Sequence, residues 1–217
     1  MNKLLPLFAF LSMILTHAQE KKTLYKIIES VSSERIEKDI QTLVNFGTRH
    51  TLSDTLSKSR GIGAARRWIK SEFETISKEC DDCLEVFYQK NYFTPDDGGR
   101  IVKPVWINNV VAIQRGKTHP NRFIIMSGDI DSRISDPTNY KDDSPGANDN
   151  ASGMAGTIEA ARVLSKYNFE NSIIYVGLAG EEQGLFGGKG LAEYAQEKGW
   201  EIIGILNNDM IGNITGV

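Results

Sequence analysis

Apolar residues in the first half of the chain recur at the spacing of amphipathic helices. The first pattern follows Ser33, a residue type that caps helices, with Glu34 in the first turn, and it stops at Gly47. A second pattern follows and ends near two cysteines. Both patterns predict helices that bury one face. The apolar positions are Ile36, Ile40, Leu43 and Val44 in the first helix, and Ile62, Ala65, Ile69, Phe73 and Ile76 in the second.

The pattern then changes to that of strands. Leu84–Phe93 and Trp106–Ile113 are predicted strands, and the second is introduced by Pro104. Three continuous apolar runs follow at 123–126, 173–178 and 202–206, and such runs are typical of strands buried on both faces. Helical patterns separate them, at 154–164 and 185–198. This order predicts an α/β fold with a mixed, mainly parallel central sheet flanked by helices.

Composition and the N-terminal residues narrow the class of protein. The chain has 217 residues, 40% hydrophobic and 24% charged, and its net charge of -3 gives no electrostatic reason to expect binding to nucleic acid or to an anionic membrane. Residues 1–18 combine Lys3, a short apolar run and small residues before the predicted cleavage after Ala18, which is the pattern of a signal peptide. We therefore expect one secreted or periplasmic domain, residues 19–217, without a membrane anchor.

Cys80 and Cys83 form an isolated Cys-x-x-Cys motif between a predicted helix and a predicted strand. In an exported protein this spacing favours a local disulfide that closes the turn. A redox motif would have a strand before it and a helix after it, and a zinc knuckle would need a second cysteine pair. The disulfide is therefore the preferred interpretation.

Acidic residues follow each of the three buried strands. Asp129 and Asp131 follow the first, Glu181 and Glu182 follow the second, and Asp209 follows the third. The carboxyl ends of parallel strands meet at one edge of a sheet, where ligands bind in α/β folds. Asp149, in a glycine-rich loop before a helix, is expected near the same edge.

The segments that carry these acids supply almost no lysine or arginine. Any one of the six acids alone is explained as a helix cap or a surface charge, but their convergence calls for a cation. Divalent metal fits, since carboxylates are hard oxygen ligands and one of them can bridge two ions. Glu181 and Glu182 are adjacent and cannot both point at one metal in the same way, which leaves one of them free to act as a general base.

With these residues assembled, the chain resembles the M28 family of zinc peptidases from about Ile36 to its end. The motifs that carry the resemblance are Ser-Gly-Asp-Ile-Asp-Ser at 127–132, Pro-Gly-Ala-Asn-Asp-Asn-Ala-Ser-Gly at 145–153, Ala-Gly-Glu-Glu-Gln-Gly-Leu-Phe-Gly at 179–187 and Asn-Asn-Asp-Met-Ile-Gly at 207–212. The resemblance implies a mixed sheet between helices, with Asp149 bridging two zinc ions. It also implies that Glu181 is the general base and that Glu182 and Asp209 each bind one ion.

The ligand position of the first motif departs from the family pattern. The family usually has His-x-Asp, whereas this chain has Asp129 and, two residues later, Asp131. The resemblance implies that Asp131 orients Asp129. An oxygen ligand makes the site harder, so Mn²⁺, Mg²⁺ and Ca²⁺ become alternatives to zinc for the two divalent ions.

The family's last ligand is a histidine well beyond the fourth motif, and this chain ends at Val217, so we expect the catalytic domain to be truncated at its C-terminus. His50 is expected to be a solvated loop residue, since no neighbour completes a metal-ligand spacing.

The resemblance implies hydrolysis of the N-terminal peptide bond of a peptide or protein by a metal-activated water. Two alternatives remain open: a glutaminyl cyclase, which would close an N-terminal glutamine onto itself, and a non-catalytic binding domain that has lost its metal.

Overall fold

A computed structural model of the chain describes residues 23–213. The chain divides into two compact units, residues 1–32 and 33–217. In the first unit, residues 23–29 are helical, and the predicted signal peptide at 1–18 lies outside the described residues. No helix within residues 23–213 is long and apolar enough to cross a membrane.

The second unit alternates helices and strands as the apolar pattern predicts. The first two strands lie within one residue of the predicted bounds. The two N-terminal helices contain all of the predicted apolar positions, and the first of them ends at Val44, three residues before Gly47. Each of the three apolar runs forms a strand, and the two helical patterns between them form helices. The helices are α1 (Ser33–Val44), α2 (Gly61–Glu79), α3 (Gly153–Leu164) and α4 (Phe186–Glu197), and the strands are β1 (Leu84–Phe93), β2 (Val105–Gln114), β3 (His119–Asp129), β4 (Asn171–Leu178) and β5 (Glu201–Asn208).

The strands form one five-stranded sheet in the order β1-β2-β4-β3-β5. Strands β4, β3 and β5 are parallel neighbours, whereas β1 pairs with β2 and β2 pairs with β4 in antiparallel orientation. The predicted mixed α/β sheet is thus confirmed. The three acid-bearing strands are those in parallel orientation, so their carboxyl ends share an edge.

Helices cover both faces of the sheet. In β2, Val110 and Ala112 face a core shared with α1, α2 and α3, while Val111 and Ile113 face a second core that includes Leu191 of α4. This alternation follows from the two-residue period of a strand, and it explains why β2 is apolar on both sides. Burial of each large side chain contributes roughly 1.5–3 kcal/mol.

Strand β5 departs from the prediction that its apolar run is buried on both faces. Ile203, Ile205 and Leu206 are 41%, 63% and 56% exposed. The prediction was wrong because β5 is an edge strand of the described sheet and pairs with β3 alone.

The predicted local disulfide between Cys80 and Cys83 is confirmed, with the two Cα atoms 5.4 Å apart. It closes the turn between α2 and β1.

Candidate functional site

The predicted acidic residues meet at the carboxyl edge of the parallel strands. Asp129 is the last residue of β3, Glu181 and Glu182 follow β4, and Asp209 directly follows β5. Burial, followed by the charges of the nearby Asp131, Glu181 and Asp209, raises the pKa of Asp129 to about 8. The convergence predicted from the sequence is therefore present in the structure.

The acids differ in their exposure. Asp129, Asp131 and Glu182 are 5%, 1% and 8% exposed, Glu181 is partly buried, and Asp149 and Asp209 are exposed. Burial, followed by the neighbouring charges, of which Asp131 is the largest, raises the pKa of Glu181 to about 7. A cavity of about 460 Å³ is lined by Asp129, Glu181 and Asp209 together with apolar side chains of β4, α4 and β5.

Asp131 holds the turn that carries Glu181 and Glu182. One carboxylate oxygen accepts hydrogen bonds from the backbone amides of Gly180 and Glu181, at 2.9 and 3.2 Å. The other accepts from the Glu182 amide at 3.2 Å and from the Thr51 hydroxyl at 2.9 Å. In the structure Asp131 thus positions the two glutamates, while its implied action on Asp129 stays a prediction.

Asn150 links three segments of the site, a role that sequence reasoning missed. Its side-chain amide donates to Asp129 Oδ2 at 3.1 Å and to the carbonyl of Asn208 at 2.9 Å. Its carbonyl oxygen accepts from the backbone amides of Gly153 and Met210, at 3.1 and 3.2 Å. All four hydrogen-bonding positions of the side chain are used, so Asn150 fixes the ends of β3 and β5 relative to the Asp149 loop.

Arg49 holds the loop that carries Asp149 through hydrogen bonds, and the sequence analysis also missed this residue. Its fully buried guanidinium donates to the carbonyls of Ile130, Leu43, Pro145 and Gly146. Burial lowers its pKa to about 10, opposed by the charges of Asp131 and Asp149.

Gly146 adopts a left-handed conformation with φ of 45°, and a Cβ there would lie 2.2 Å from the carbonyl oxygen of Asp149. The position therefore requires glycine, and this glycine is a signal of the loop geometry that the sequence carries.

Glu182 has a cationic partner that the sequence analysis did not expect. Its carboxylate accepts a short hydrogen bond from Arg133 Nε, and Arg100 Nη1 lies 3.9 Å from the same oxygen. Arg133 is only two residues beyond Asp131, so the expectation that the acid-bearing segments lack balancing cations was wrong at this position.

His50 is fully buried, so the expectation of a solvated loop histidine was wrong. Its Nδ1 accepts from the Leu52 amide at 3.1 Å, and its Nε2 lies 3.0 Å from the carbonyl oxygen of Pro137. This pattern corresponds to a neutral ring with the proton on Nε2. Both nitrogens are engaged, and His50 is not a metal ligand in this arrangement.

The donor chemistry of the site fits divalent cations. Within residues 23–213, no three histidine, cysteine, aspartate or glutamate side chains are grouped closely enough to hold an ion as they stand. The carboxylates nevertheless supply oxygen donors from four segments at one edge, and the raised pKa values of Asp129 and Glu181 reflect crowding and burial that a bound cation would relieve. The site residues remain predictions with respect to metal binding.

Comparison with known proteins places the chain in a family. The model of peptidase family M28 matches residues 109–216. A "Probable zinc metalloprotease" of Pyrenophora teres f. teres is 45% identical over 88% of this chain and 39% of its own length, and one of Pyrenophora tritici-repentis is 43% identical over the same shares. The chain thus spans about two fifths of the length of these curated relatives.

Solved structures share the fold. LapB from Legionella pneumophila superposes with a TM-score of 0.69 and 22% identity, over 88% of this chain and 47% of that one. A leucine aminopeptidase precursor from Bacteroides thetaiotaomicron gives a TM-score of 0.66 and 19% identity, over 86% and 65%. A glutaminyl cyclase from the same organism gives 0.65 and 19%, over 86% and 64%. From the family match and the curated relatives, the chain belongs to peptidase family M28.

Proposed function

We propose that the chain carries the catalytic centre of a metal-dependent aminopeptidase, which hydrolyses the first peptide bond of a peptide or protein. The observation that supports this most is the meeting of carboxylates at one sheet edge, where Glu181 lines an open cavity together with Asp129 and Asp209. Relatives named as probable zinc metalloproteases support the coarser assignment to a zinc peptidase. The exopeptidase specificity rests on the family resemblance.

Asp129, Asp149, Glu182 and Asp209 would hold the two divalent ions, with zinc favoured by the relatives' names. When bound, such ions polarise the carbonyl oxygen and lower the pKa of water, so that a nucleophile is available near neutral pH. Because Asp129 is a harder ligand than histidine, Mn²⁺, Mg²⁺ and Ca²⁺ remain alternatives that the experiment below distinguishes.

Glu181 would serve as the general base. Its side chain is partly buried and lines the cavity, so it can reach both solvent and a bound peptide. It would accept a proton from the water that attacks the carbonyl carbon and deliver it to the leaving nitrogen as the C–N bond breaks. The products are a free amino acid and a peptide with a new N-terminus. Asp131 would keep Glu181 in place through the backbone of the turn, and Asn150 would do the same for Asp129.

The test is metal content and peptide hydrolysis, measured together on the complete protein. Amino-acyl anilides and their N-acetylated counterparts should be offered with zinc, manganese or chelator present. We expect two ions per chain and chelator-sensitive cleavage that requires a free amino group. Glu181→Gln should retain metal and lose about 10²–10⁴-fold in kcat, as expected for the loss of a general base. Glu193→Gln, an exposed glutamate on α4, is the matched control.

Other outcomes would assign other functions. Cleavage of the acetylated substrates would replace the exopeptidase assignment with an endopeptidase. Loss of ammonia from a glutaminyl peptide without uptake of water would identify a glutaminyl cyclase. Absence of both metal and turnover would favour a binding domain. Full activity in Glu181→Gln would remove Glu181 from the mechanism.

We further propose export of the protein, based on the pattern at residues 1–18. Cleavage after Ala18 predicts Gln19 as the N-terminus of protein recovered from the periplasm or medium, which Edman sequencing or mass spectrometry would check. Recovery of unprocessed protein from the cytoplasm would contradict it.

A further inference from the structure

A second, larger cavity of about 910 Å³ has the opposite charge character from the acidic site. Its lining includes four cations and three aromatic rings, and Asp54 is the single carboxylate among its lining residues. The Asp54 carboxylate is already engaged by the backbone amides of Leu56 and Ser57. Positive charge is therefore concentrated here in a chain whose net charge is -3. The cations are Arg60, Arg66, Lys103 and Lys141.

Three of these cations have no anionic partner in the described part of the chain. Within residues 23–213, the Arg66 guanidinium forms neither an ion pair nor a hydrogen bond, although the side chain is partly buried and burial lowers its pKa. Lys103 Nζ lies 3.9 Å from the centre of the Tyr140 ring, and Lys141 Nζ forms no described ion pair. Arg60, by contrast, is paired with Asp143 at 2.6 Å. A partly buried cation without a partner is unfavourable, so this arrangement suits an anion that binds from outside.

Aromatic rings form another wall of the cavity. Tyr92 and Trp106 contact each other with ring centroids 5.1 Å apart, yet they are 53% and 57% exposed. Exposed aromatic and arginine side chains that face one cavity are the residue types enriched where peptides and proteins bind.

Part of the cavity wall lies at the same edge of the sheet as the acidic site. The lining residue Val105 begins β2 and pairs with Phe93 at the end of β1. Because β2 runs antiparallel to β4, Val105 and Phe93 lie towards the carboxyl end of β4. A contact joins the two regions: the hydroxyl of Thr51, the residue before the lining residue Leu52, donates to Asp131 at 2.9 Å.

We propose that this cavity binds carboxylate groups of the peptide substrate on the leaving side of the scissile bond. The inference rests on the proposed peptidase function. It identifies the substrate class as peptides that carry acidic side chains, or a free C-terminal carboxylate, downstream of the residue that is removed. Arg66 and Lys103 are the binding residues, and Tyr92 and Trp106 contact the peptide chain.

The first arm of the test measures binding without turnover. An N-acetylated acidic peptide, which an aminopeptidase does not cleave, is titrated into the complete protein while tryptophan fluorescence is recorded. We expect saturable quenching that Trp106→Phe removes, and that weakens with added salt because solvent-exposed ion pairs are screened. Arg66→Gln should raise Kd about tenfold, equivalent to about 1.4 kcal/mol. Lys103→Gln gives the same test should Arg66→Gln fail to fold, and Lys117→Gln, exposed before β3, is the matched control.

The second arm measures hydrolysis. Arg66→Gln should raise KM for an acidic peptide about tenfold with kcat unchanged, and it should leave both constants unchanged for a small neutral anilide. Replacing the glutamates of the peptide with glutamine, or amidating its C-terminus, identifies which carboxylate is bound.

Two results overturn the proposal. The first is an Arg66→Gln variant that binds and cleaves the acidic peptide as Lys117→Gln does. The second is equal binding of the acidic peptide and its uncharged glutamine and amide analogues. An unaltered protein that hydrolyses none of the substrates contradicts the proposed function instead, and the fluorescence titration then still decides whether the cavity binds carboxylates.

Discussion

Replacement of Asn150 by alanine tests whether one side chain holds the acidic edge together. Asn150 is 1% exposed, and its amide group makes four hydrogen bonds to three segments. Asn150→Ala removes all of them and leaves the amides of Gly153 and Met210 and the carbonyl of Asn208 without this partner.

The magnitude follows from counting these bonds. A buried hydrogen bond contributes about 1 kcal/mol net, and one of the four is to a carboxylate, so we expect the free energy of unfolding to fall by about 4 kcal/mol. Asn148→Ala is the control, because the Asn148 side chain lies in the same loop but accepts only one backbone hydrogen bond, from Gly212 at 3.0 Å, and a long one from the Ser152 hydroxyl at 3.4 Å. Its expected cost is about 1 kcal/mol.

Urea unfolding of the complete protein, in chelator so that bound metal does not contribute, measures both variants. The side chain of Asp129 also loses its described hydrogen-bond donor, so metal affinity should fall in Asn150→Ala and change little in Asn148→Ala. A loss of stability in Asn150→Ala no larger than that in Asn148→Ala would refute the reasoning, since it would mean that the four contacts are replaced at no cost.

Three further predictions concern the rest of the fold. Arg162 Nη1 lies 2.5 Å from the buried carboxylate of Asp39, so Arg162→Met should lower the free energy of unfolding in urea by about 3–5 kcal/mol. Adding Asp39→Asn should recover much of this loss, and a double variant as unstable as the single one would contradict the account. Opening the disulfide with Cys80→Ser and Cys83→Ser should cost about 2 kcal/mol for so short a loop, and an unchanged urea midpoint would show that the link is not stabilising. Burial lowers the pKa of His50 from its ordinary 6.5, so the unfolded chain binds a proton first as pH falls. The His50 contribution to stability should then decline below about pH 6.5 by up to about 1.4 kcal/mol per unit. The raised pKa values of Asp129 and Glu181 act in the opposite direction, so the measured quantity is the difference between the unaltered protein and His50→Gln in unfolding curves across pH.

The sequence predicted the elements of the fold well because their signals are local. The apolar face of α2 is buried at all five predicted positions, since a helical period leaves little choice of which side faces the core. The burial of β5 was predicted wrongly from the same pattern that predicted the burial of β4 on both faces correctly. A continuous apolar run reports that a strand can be covered on both faces, but whether it is covered depends on neighbours that are remote in sequence.

The site could be predicted only in part. The acids were found because strand ends place them at one edge, a rule that needs no side-chain detail. Arg49 and Asn150 were missed because each acts through contacts with several segments, and nothing within a short window of sequence marks such a residue. His50 was assigned to solvent from its loop position, whereas its burial depends on Pro137 and Gln183, which lie far along the chain.

Cations found in the structure reduce the number of acids whose charge calls for a metal ion. Arg49 interacts electrostatically with Asp149, and Arg133 pairs with Glu182. Part of the acidic charge is therefore balanced by the protein itself. Among residues 23–213, no cation pairs with Asp129, Glu181 or Asp209, and these three acids line the cavity at the sheet edge.

The one cation among the lining residues of that cavity, Lys189, lies over the ring of Phe186 and forms no ion pair with a described residue. The unbalanced negative charge is thus concentrated where a substrate would enter. An ion held through Glu182 would have to compete with the guanidinium of Arg133, whereas an ion held by Asp129 and Asp209 would meet no such competitor. For the two ions that we propose, the arrangement therefore favours unequal affinities over two equivalent sites.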